Sequence, residues 1–106
     1  MEVHNALGSG FLEKVYENAL VIALGKRGLR CQQQAPIKVH YEGQVVGDYL
    51  ADILVEDSVI IELKVAEALN DIHRAQAINY LRETGLNLVL LINFAKPKLE
   101  WERIVL

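Results

Sequence analysis

The sequence is poor in residues that build covalent cross-links or membrane spans. Its single cysteine, Cys31, has no partner for an intrachain disulfide and cannot build a cysteine-rich zinc site, so we expect a cytoplasmic protein in a reducing compartment. No apolar run approaches the roughly 18 residues of a membrane span, so we expect no membrane partner. The first ten residues lack a basic start followed by an apolar core, and we expect no secretory signal there.

The chain also lacks a strong charge of either sign. Its formal net charge is −3 and its isoelectric point is about 5.6, whereas proteins that coat nucleic acid are usually basic. This balance does not exclude an enzyme that approaches a phosphodiester through a metal ion, because the ion supplies positive charge locally. The basic residues are spread along the chain: Lys14, Lys26, Arg27, Arg30, Arg74, Arg82, Lys96 and Lys98.

The length and hydrophobic content fit one compact domain. With 106 residues, 52% of them hydrophobic, the chain can bury a core but has no room for a second one, and we expect a single domain over residues 1–106. A domain of this size is only marginally stable alone, so oligomerisation stays open.

Hydrophobic periodicity predicts an α/β fold with a mixed sheet. Apolar residues at helical spacing indicate a helix over Phe11–Arg27, with Ser9 as its N-cap, and another over Asn70–Thr84. The order α-β-β-β-α-β-β implies helices packed on the sheet, with the strand after the second helix parallel to the strand before it. The other segments are a helix tail at Val3–Leu7 and strands at Ile37–Tyr41, Gln44–Val55, Val59–Val65, Asn87–Phe94 and Trp101–Leu106.

The third predicted strand carries two charges on one face. Side chains alternate along a strand, so Glu62 and Lys64 project on the same side as Ile60. Burying a charge costs several kcal/mol unless it is paired or metal-bound, and this strand is apolar enough to be central. The alternative is an ordinary Glu–Lys pair on a half-exposed face.

The preceding strand adds a second carboxylate. The turn at Glu56–Ser58 places Asp52 roughly opposite Glu62, because both lie about five positions from Asp57. Two carboxylates near a lysine suit Mg²⁺, which prefers carboxylate oxygens, and the lysine can then assist an attacking water or hold developing charge on phosphorus. The alternative for Asp52 is a carboxylate that caps a turn at a strand end.

Two helical patterns have simpler alternatives. Gln76 and Tyr80 lie four apart with His73 on the same stripe, and could bond a phosphate or orient a carboxylate, or could form a polar stripe at the sheet edge. Glu13 and Tyr16 lie three apart on the first helix, where an acid in the first turn also suits the helix dipole.

The segment Gly10-Phe11-Leu12-Glu13-Lys14-Val15-Tyr16 matches the GxxExxY signature, and the chain resembles the GxxExxY protein family. That family is placed in the PD-(D/E)XK nuclease superfamily, whose fold is restriction-endonuclease-like. The resemblance runs from Val3 through the block Asp52–Lys64 and the AQAINYLR helix to LLINF and the terminal RIV, which is nearly the whole chain.

The resemblance implies roles for residues that match the family's motifs. Asp52, Glu62 and the Leu63 carbonyl would bind Mg²⁺ or Mn²⁺, Glu13 would complete the metal site, and Lys64 would be the catalytic lysine. Gln76 and Tyr80 match the QxxxY helix of the recombination exonuclease branch. One departure is that no proline precedes the motif aspartate, because Leu50-Ala51-Asp52 stands there.

Three functional hypotheses follow. The first is a Mg²⁺- or Mn²⁺-dependent nuclease that acts on DNA rather than RNA. The second is a non-catalytic module that keeps the fold and binds nucleic acid or protein, which the acidic net charge favours. The third is a homodimer that is active only as an oligomer, with the apolar edge Trp101–Leu106 as its interface.

Overall fold

The computed structural model describes residues 2–106. In this part of the chain, the helices and strands follow the predicted order, with a short helix in front where the sequence suggested a helix tail. None of the described helices is long and apolar enough to cross a membrane. The elements are α1 (Glu2–Leu7), α2 (Glu13–Lys26), β1 (Cys31–Tyr41), β2 (Gln44–Val55), β3 (Val59–Lys64), α3 (Asp71–Thr84), β4 (Leu88–Asn93) and β5 (Glu100–Ile104).

The five strands form one sheet in the order β1-β2-β3-β4-β5. The pairs β1–β2, β2–β3 and β4–β5 are antiparallel, and β3–β4 is parallel because α3 carries the chain back across the sheet. The predicted mixed α/β fold is therefore confirmed, including the parallel pair. β3 lies in the middle of the sheet, which buries the strand that carries Glu62.

Two apolar cores lie on opposite faces of the sheet. On one face α1 and α2 pack against Ile53, Leu63 and Phe94, and on the other α3 packs against Ile60 and Leu91. Each large apolar side chain that is fully buried contributes about 1.5–3 kcal/mol. The charged positions of β3 share the face of Ile60, so Glu62 and Lys64 lie on the side that α3 covers.

The helix ends differ in how well the sequence predicts them. Asn70 and His73 form a capping box at the start of α3, and Gly85 ends it with φ 73°. By contrast, α2 begins after Leu12, without a side-chain cap, and not at the predicted Ser9 and Phe11. The Tyr16 hydroxyl bonds the Gly8 carbonyl and the Phe11 amide, which holds the glycine-containing segment before α2 as a loop.

The first strand starts six residues before the predicted Ile37. The polar segment from Cys31 pairs with β2 in regular register, except at Gln34, which lies opposite Asp52 and has φ 53°. The two-residue alternation of β2 also breaks here, because Ala51 joins the core under α3 whereas Ile53 joins the core under α2. The ribbon of β1 and β2 therefore bends at Asp52.

Asn93 fixes the chain just after β3. Its side-chain oxygen accepts bonds from the Ala66 and Ala95 amides, and its amide nitrogen donates to the Ala66 carbonyl and to Glu100. The side chain is fully buried, and its donors and acceptors are all engaged. The segment that follows Lys64 is thus tied to the end of β4.

Candidate active site

Asp52 and Glu62 face each other where β2 and β3 separate. The last backbone pair between β2 and β3 is Ile53 with Ile61. One position further on, Asp52 and Glu62 therefore lie opposite each other. The Asp52 amide donates to Glu62 Oε1 at 3.1 Å, and the Leu63 amide donates to Asp52 Oδ2 at 2.8 Å. Each carboxylate therefore accepts from the backbone of the other strand, in place of part of the ladder.

Glu62 is a buried acid in an unfavourable electrostatic setting. Only 4% of the residue is exposed. Burial, and after it the charge of Asp52, raises the pKa of Glu62 to about 8, although the Asp52 amide and the Lys64 charge act in the opposite direction. Near neutral pH this carboxyl therefore holds a proton in much of the metal-free protein.

Lys64 is directed towards α3 and not towards a carboxylate. Its Nζ donates to Gln76 Oε1 at 3.3 Å. Among residues 2–106, the ion pairs within 4.0 Å do not include Lys64. The arrangement argues against the ordinary Glu–Lys pair that the sequence left open. A partly buried ammonium held by a neutral amide stays available to a substrate.

Glu13, in the first turn of α2, lies within the electrostatic field of this site. Burial and then the charge of Asp52 raise the pKa of Glu13, and the charge of Lys64 lowers it. In the described part of the chain, however, no three acidic, histidine or cysteine side chains converge closely enough to hold a metal ion. The predicted ligands Glu13, Asp52 and Glu62 thus share a neighbourhood without forming a closed site, because the two strand acids bond backbone amides.

Tyr80 lies on the same side of the sheet. It is 5% exposed, and its pKa is raised by burial first and then by the negative charges of Glu62 and Asp52. Gln76, one helical turn earlier, holds Lys64. The structure therefore brings the two QxxxY residues to the acid–lysine group, where the sequence alone could not distinguish them from a polar stripe.

Comparison with known proteins identifies the family. A family model described as the PD-(D/E)XK nuclease superfamily matches residues 1–104. The chain belongs to the PD-(D/E)XK nuclease superfamily.

A solved structure shares the fold of this chain. The solved structure of the protein SSO0001 superposes with a TM-score of 0.67 at 19% sequence identity, covering 87% of this chain and 48% of that one. Identity this low shows a shared fold alone, and the chain spans about half the length of the structure it matches. No curated protein matches the sequence significantly.

Nucleases of the PD-(D/E)XK superfamily generally use divalent metal ions, and the residues present fit such an ion. Asp52, Glu62 and the Leu63 carbonyl are hard oxygen donors of the kind that Mg²⁺ and Mn²⁺ prefer. Burial and the neighbouring charge of Asp52 raise the pKa of Glu62, and a bound cation would favour its charged form. Glu13 stands on the first turn of α2, close enough for the charges of Asp52 and Lys64 to shift its pKa.

Tyr16 explains the spacing of the GxxExxY signature in physical terms. Its hydroxyl donates to the Gly8 carbonyl at 2.7 Å and accepts from the Phe11 amide at 3.2 Å. Its ring stacks on Phe94 with centroids 4.4 Å apart. The tyrosine therefore ties the glycine loop to the core, so that α2 begins at Glu13. The sequence interpretation missed this role, although the spacing from Glu13 was its signal.

Glu17 is a second residue that the sequence interpretation missed. It is 4% exposed and accepts bonds from Lys14, Gln33 and Gln34. Gln34 is the residue at the bend opposite Asp52. Glu17 therefore links the helix that carries Glu13 to the bend that positions Asp52, and no pattern in the sequence indicates this link.

Replacing Tyr16 with phenylalanine is expected to destabilise the fold by about 1–3 kcal/mol, because the two partly buried hydrogen bonds of the Tyr16 hydroxyl, to the Gly8 carbonyl and from the Phe11 amide, are lost. Urea unfolding measures the effect. Tyr41→Phe is the matched control, because Tyr41 is 67% exposed. Equal stability of Tyr16→Phe and wild type would show that the hydroxyl does not hold the loop.

Proposed function

We propose that the chain is a Mg²⁺- or Mn²⁺-dependent nuclease of the GxxExxY branch, which hydrolyses phosphodiester bonds in DNA in preference to RNA. The observation that carries the proposal is the pair of buried Glu62 and half-buried Asp52, beside a lysine that makes no ion pair with the described residues. A fold that only needed stability would gain little from two acids in the middle of its sheet.

The proposed role of each residue follows from its position in the site. Asp52, Glu62 and the Leu63 carbonyl would hold the ion, with Glu13 completing its shell from α2. When bound, the ion would polarise the phosphate and lower the pKa of the attacking water. Lys64, held by Gln76, would donate to the water or to a phosphate oxygen, and Tyr80 would keep Glu62 and the phosphate in place.

The preference for DNA rests on the resemblance of Gln76 and Tyr80 to the recombination exonuclease branch. Matched DNA and RNA strands of one sequence test it directly. Equal or faster cleavage of the RNA strand would contradict this part of the proposal while leaving the nuclease site intact.

A cleavage assay tests the nuclease itself. The purified protein is incubated with linear, nicked and branched DNA in Mn²⁺, Mg²⁺ or EDTA, and we expect cleavage only with a divalent ion. Asp52→Asn should lose it, whereas Asp57→Asn should keep it, because Asp57 is exposed in the turn between β2 and β3. If wild type cleaves no substrate with either ion, the proposal is wrong.

A non-catalytic module is the second candidate. Two observations favour it: the net charge of −3 and the lack of three converging metal ligands among residues 2–106. Calorimetric titration with Mn²⁺ separates the two candidates. Binding that Asp52→Asn abolishes supports the nuclease, and no binding to wild type supports the module.

We also propose that the chain forms a homodimer through β5. This strand is one edge of the sheet, and Trp101, Val105 and Leu106 expose more than half of their surface there. Sedimentation over a range of concentrations should show a dimer that Trp101→Ala weakens. A monomer at every concentration contradicts this proposal.

A further inference from the structure

A groove lies beside the acid–lysine group, between α3 and the outer half of the β1–β2 ribbon. Its volume is about 540 Å³, within the range of small-molecule sites. Val39 and Tyr49 line it from the ribbon, and Ile72, Gln76 and Asn79 line it from α3. None of these residues except Gln76 has a part in the chemistry proposed above.

The groove is continuous with the candidate active site. Gln76 lines the groove, and its Oε1 atom is 3.3 Å from Lys64 Nζ. Tyr80 also lines the groove, and it lies in the field of Glu62 and Asp52. A group in the groove would therefore lie beside a phosphate bound at Lys64.

Tyr49 gives the groove an aromatic platform. Its ring centroid is 6.1 Å from that of Tyr80, at an interplanar angle of 57°, yet 50% of Tyr49 is exposed. One side of the ring is therefore supported by the protein while much of the rest faces solvent. A tilted aromatic pair that leaves a ring surface open suits a stacked nucleobase.

The polar groups around Tyr49 suit a nucleotide as well. Gln76 and Asn79 carry amides that can bond base edges, and Arg82 lines the same groove with a guanidinium that can bond phosphate. The one acid in the lining, Glu83, faces the His40 ring at 3.7 Å. An apolar surface, amides and one cation are a better match for a base with its phosphate than for an apolar peptide.

We propose that this groove receives an unpaired base next to the cleaved phosphodiester, with Tyr49 as its stacking platform. A base inside a duplex cannot enter, because its faces and edges are occupied. The substrate class is then nucleic acid with a single-stranded end, flap or unpaired nucleotide at the cleavage point. This inference rests on the proposed nuclease function for its cleavage prediction, but not for its binding prediction.

Binding is tested first, without a metal ion. A single-stranded oligonucleotide that contains 2-aminopurine is titrated with protein in EDTA, and stacking on Tyr49 should quench its fluorescence. Tyr49→Ala should weaken binding about tenfold and abolish the quenching, whereas Tyr49→Phe should retain both. Tyr41→Ala is the control, because Tyr41 is an exposed aromatic of the same strand pair that does not line the groove.

Cleavage is tested on matched duplexes with a blunt end, a single-stranded end, or the same end with abasic sites. Wild type should prefer the single-stranded end with its bases present, and Tyr49→Ala should lose that preference. If the Tyr49→Ala variant binds the oligonucleotide and quenches its fluorescence like wild type, the inference is wrong. A dimer that Tyr49→Ala dissociates, with oligonucleotide binding unchanged, also overturns it in favour of a second copy of the chain.

The two proposals fail in distinguishable ways. If cleavage depends neither on unpaired bases nor on Tyr49, the groove inference is wrong and the nuclease proposal stands. If oligonucleotide quenching depends on Tyr49 but no substrate is cleaved, the groove inference stands and the nuclease proposal is wrong.

Discussion

Replacing Lys64 with alanine is expected to lower the rate of DNA cleavage on the order of 10²–10³-fold while leaving the fold intact. The Lys64 ammonium is a cation whose charge acts on Glu62, and among the described residues its Nζ bonds only the Gln76 amide oxygen. Its loss would remove charge stabilisation at the phosphate without breaking an ion pair. Single-turnover rates of wild type and variant measure the effect.

Lys98→Ala is the matched control for this experiment. It removes the same charge from an exposed position near α1, so a general effect of net charge on DNA binding would appear in both variants. Gln76→Ala should give a smaller loss than Lys64→Ala, because it frees the ammonium without removing it. Cleavage by Lys64→Ala at the wild-type rate would exclude Lys64 from the reaction.

The metal-free protein is expected to lose stability as pH rises, and Glu62 is the main cause. Its pKa is about 8 in the folded protein and near its ordinary value of 4.5 when unfolded. Between these values the folded state binds more protons, so its stabilisation is complete below about pH 4.5 and is lost as pH rises towards 8. At about 1.4 kcal/mol per pKa unit, the change amounts to several kcal/mol.

Glu62→Gln isolates this contribution. Urea unfolding in EDTA at about pH 5, 6.5 and 8 should show wild type weakening with pH much more than the variant. The exposed Glu67→Gln is the control, and other shifted acids, such as Glu13, Glu56 and Glu100, are common to all three proteins. Parallel pH profiles for wild type and Glu62→Gln would show that Glu62 is not protonated in the fold.

Much of the fold and the acid pair could be predicted from the sequence, because local rules decide them. Alternation along an apolar strand sets Glu62 and Lys64 on one face, and the tight turn at Glu56–Ser58 sets the register that brings Asp52 opposite. The helix that separates β3 from β4 requires a parallel pair between them. These features depend on neighbours in sequence.

The features that could not be predicted depend on bonds between distant residues. The bend at Gln34 in β1 has a positive φ at a residue that is not glycine, and the Gln34 side chain bonds Glu17 of α2. At that bend the alternate side chains of β2 change from one face of the sheet to the other. Tyr49 therefore lies beside Tyr80 and lines the groove. The late start of α2 depends likewise on the hydroxyl of Tyr16.

The bonds that build the acid–lysine group close short loops, and this affects how the site assembles. Asp52 and Glu62 are 10 residues apart, Lys64 and Gln76 are 12 apart, but Glu13 is 39 residues before Asp52. By chain statistics, bringing Glu13 to the site loses about 1 kcal/mol more conformational entropy than joining the two acids. Closing the contacts within residues 52–76 therefore loses less conformational entropy than bringing α2 to the site.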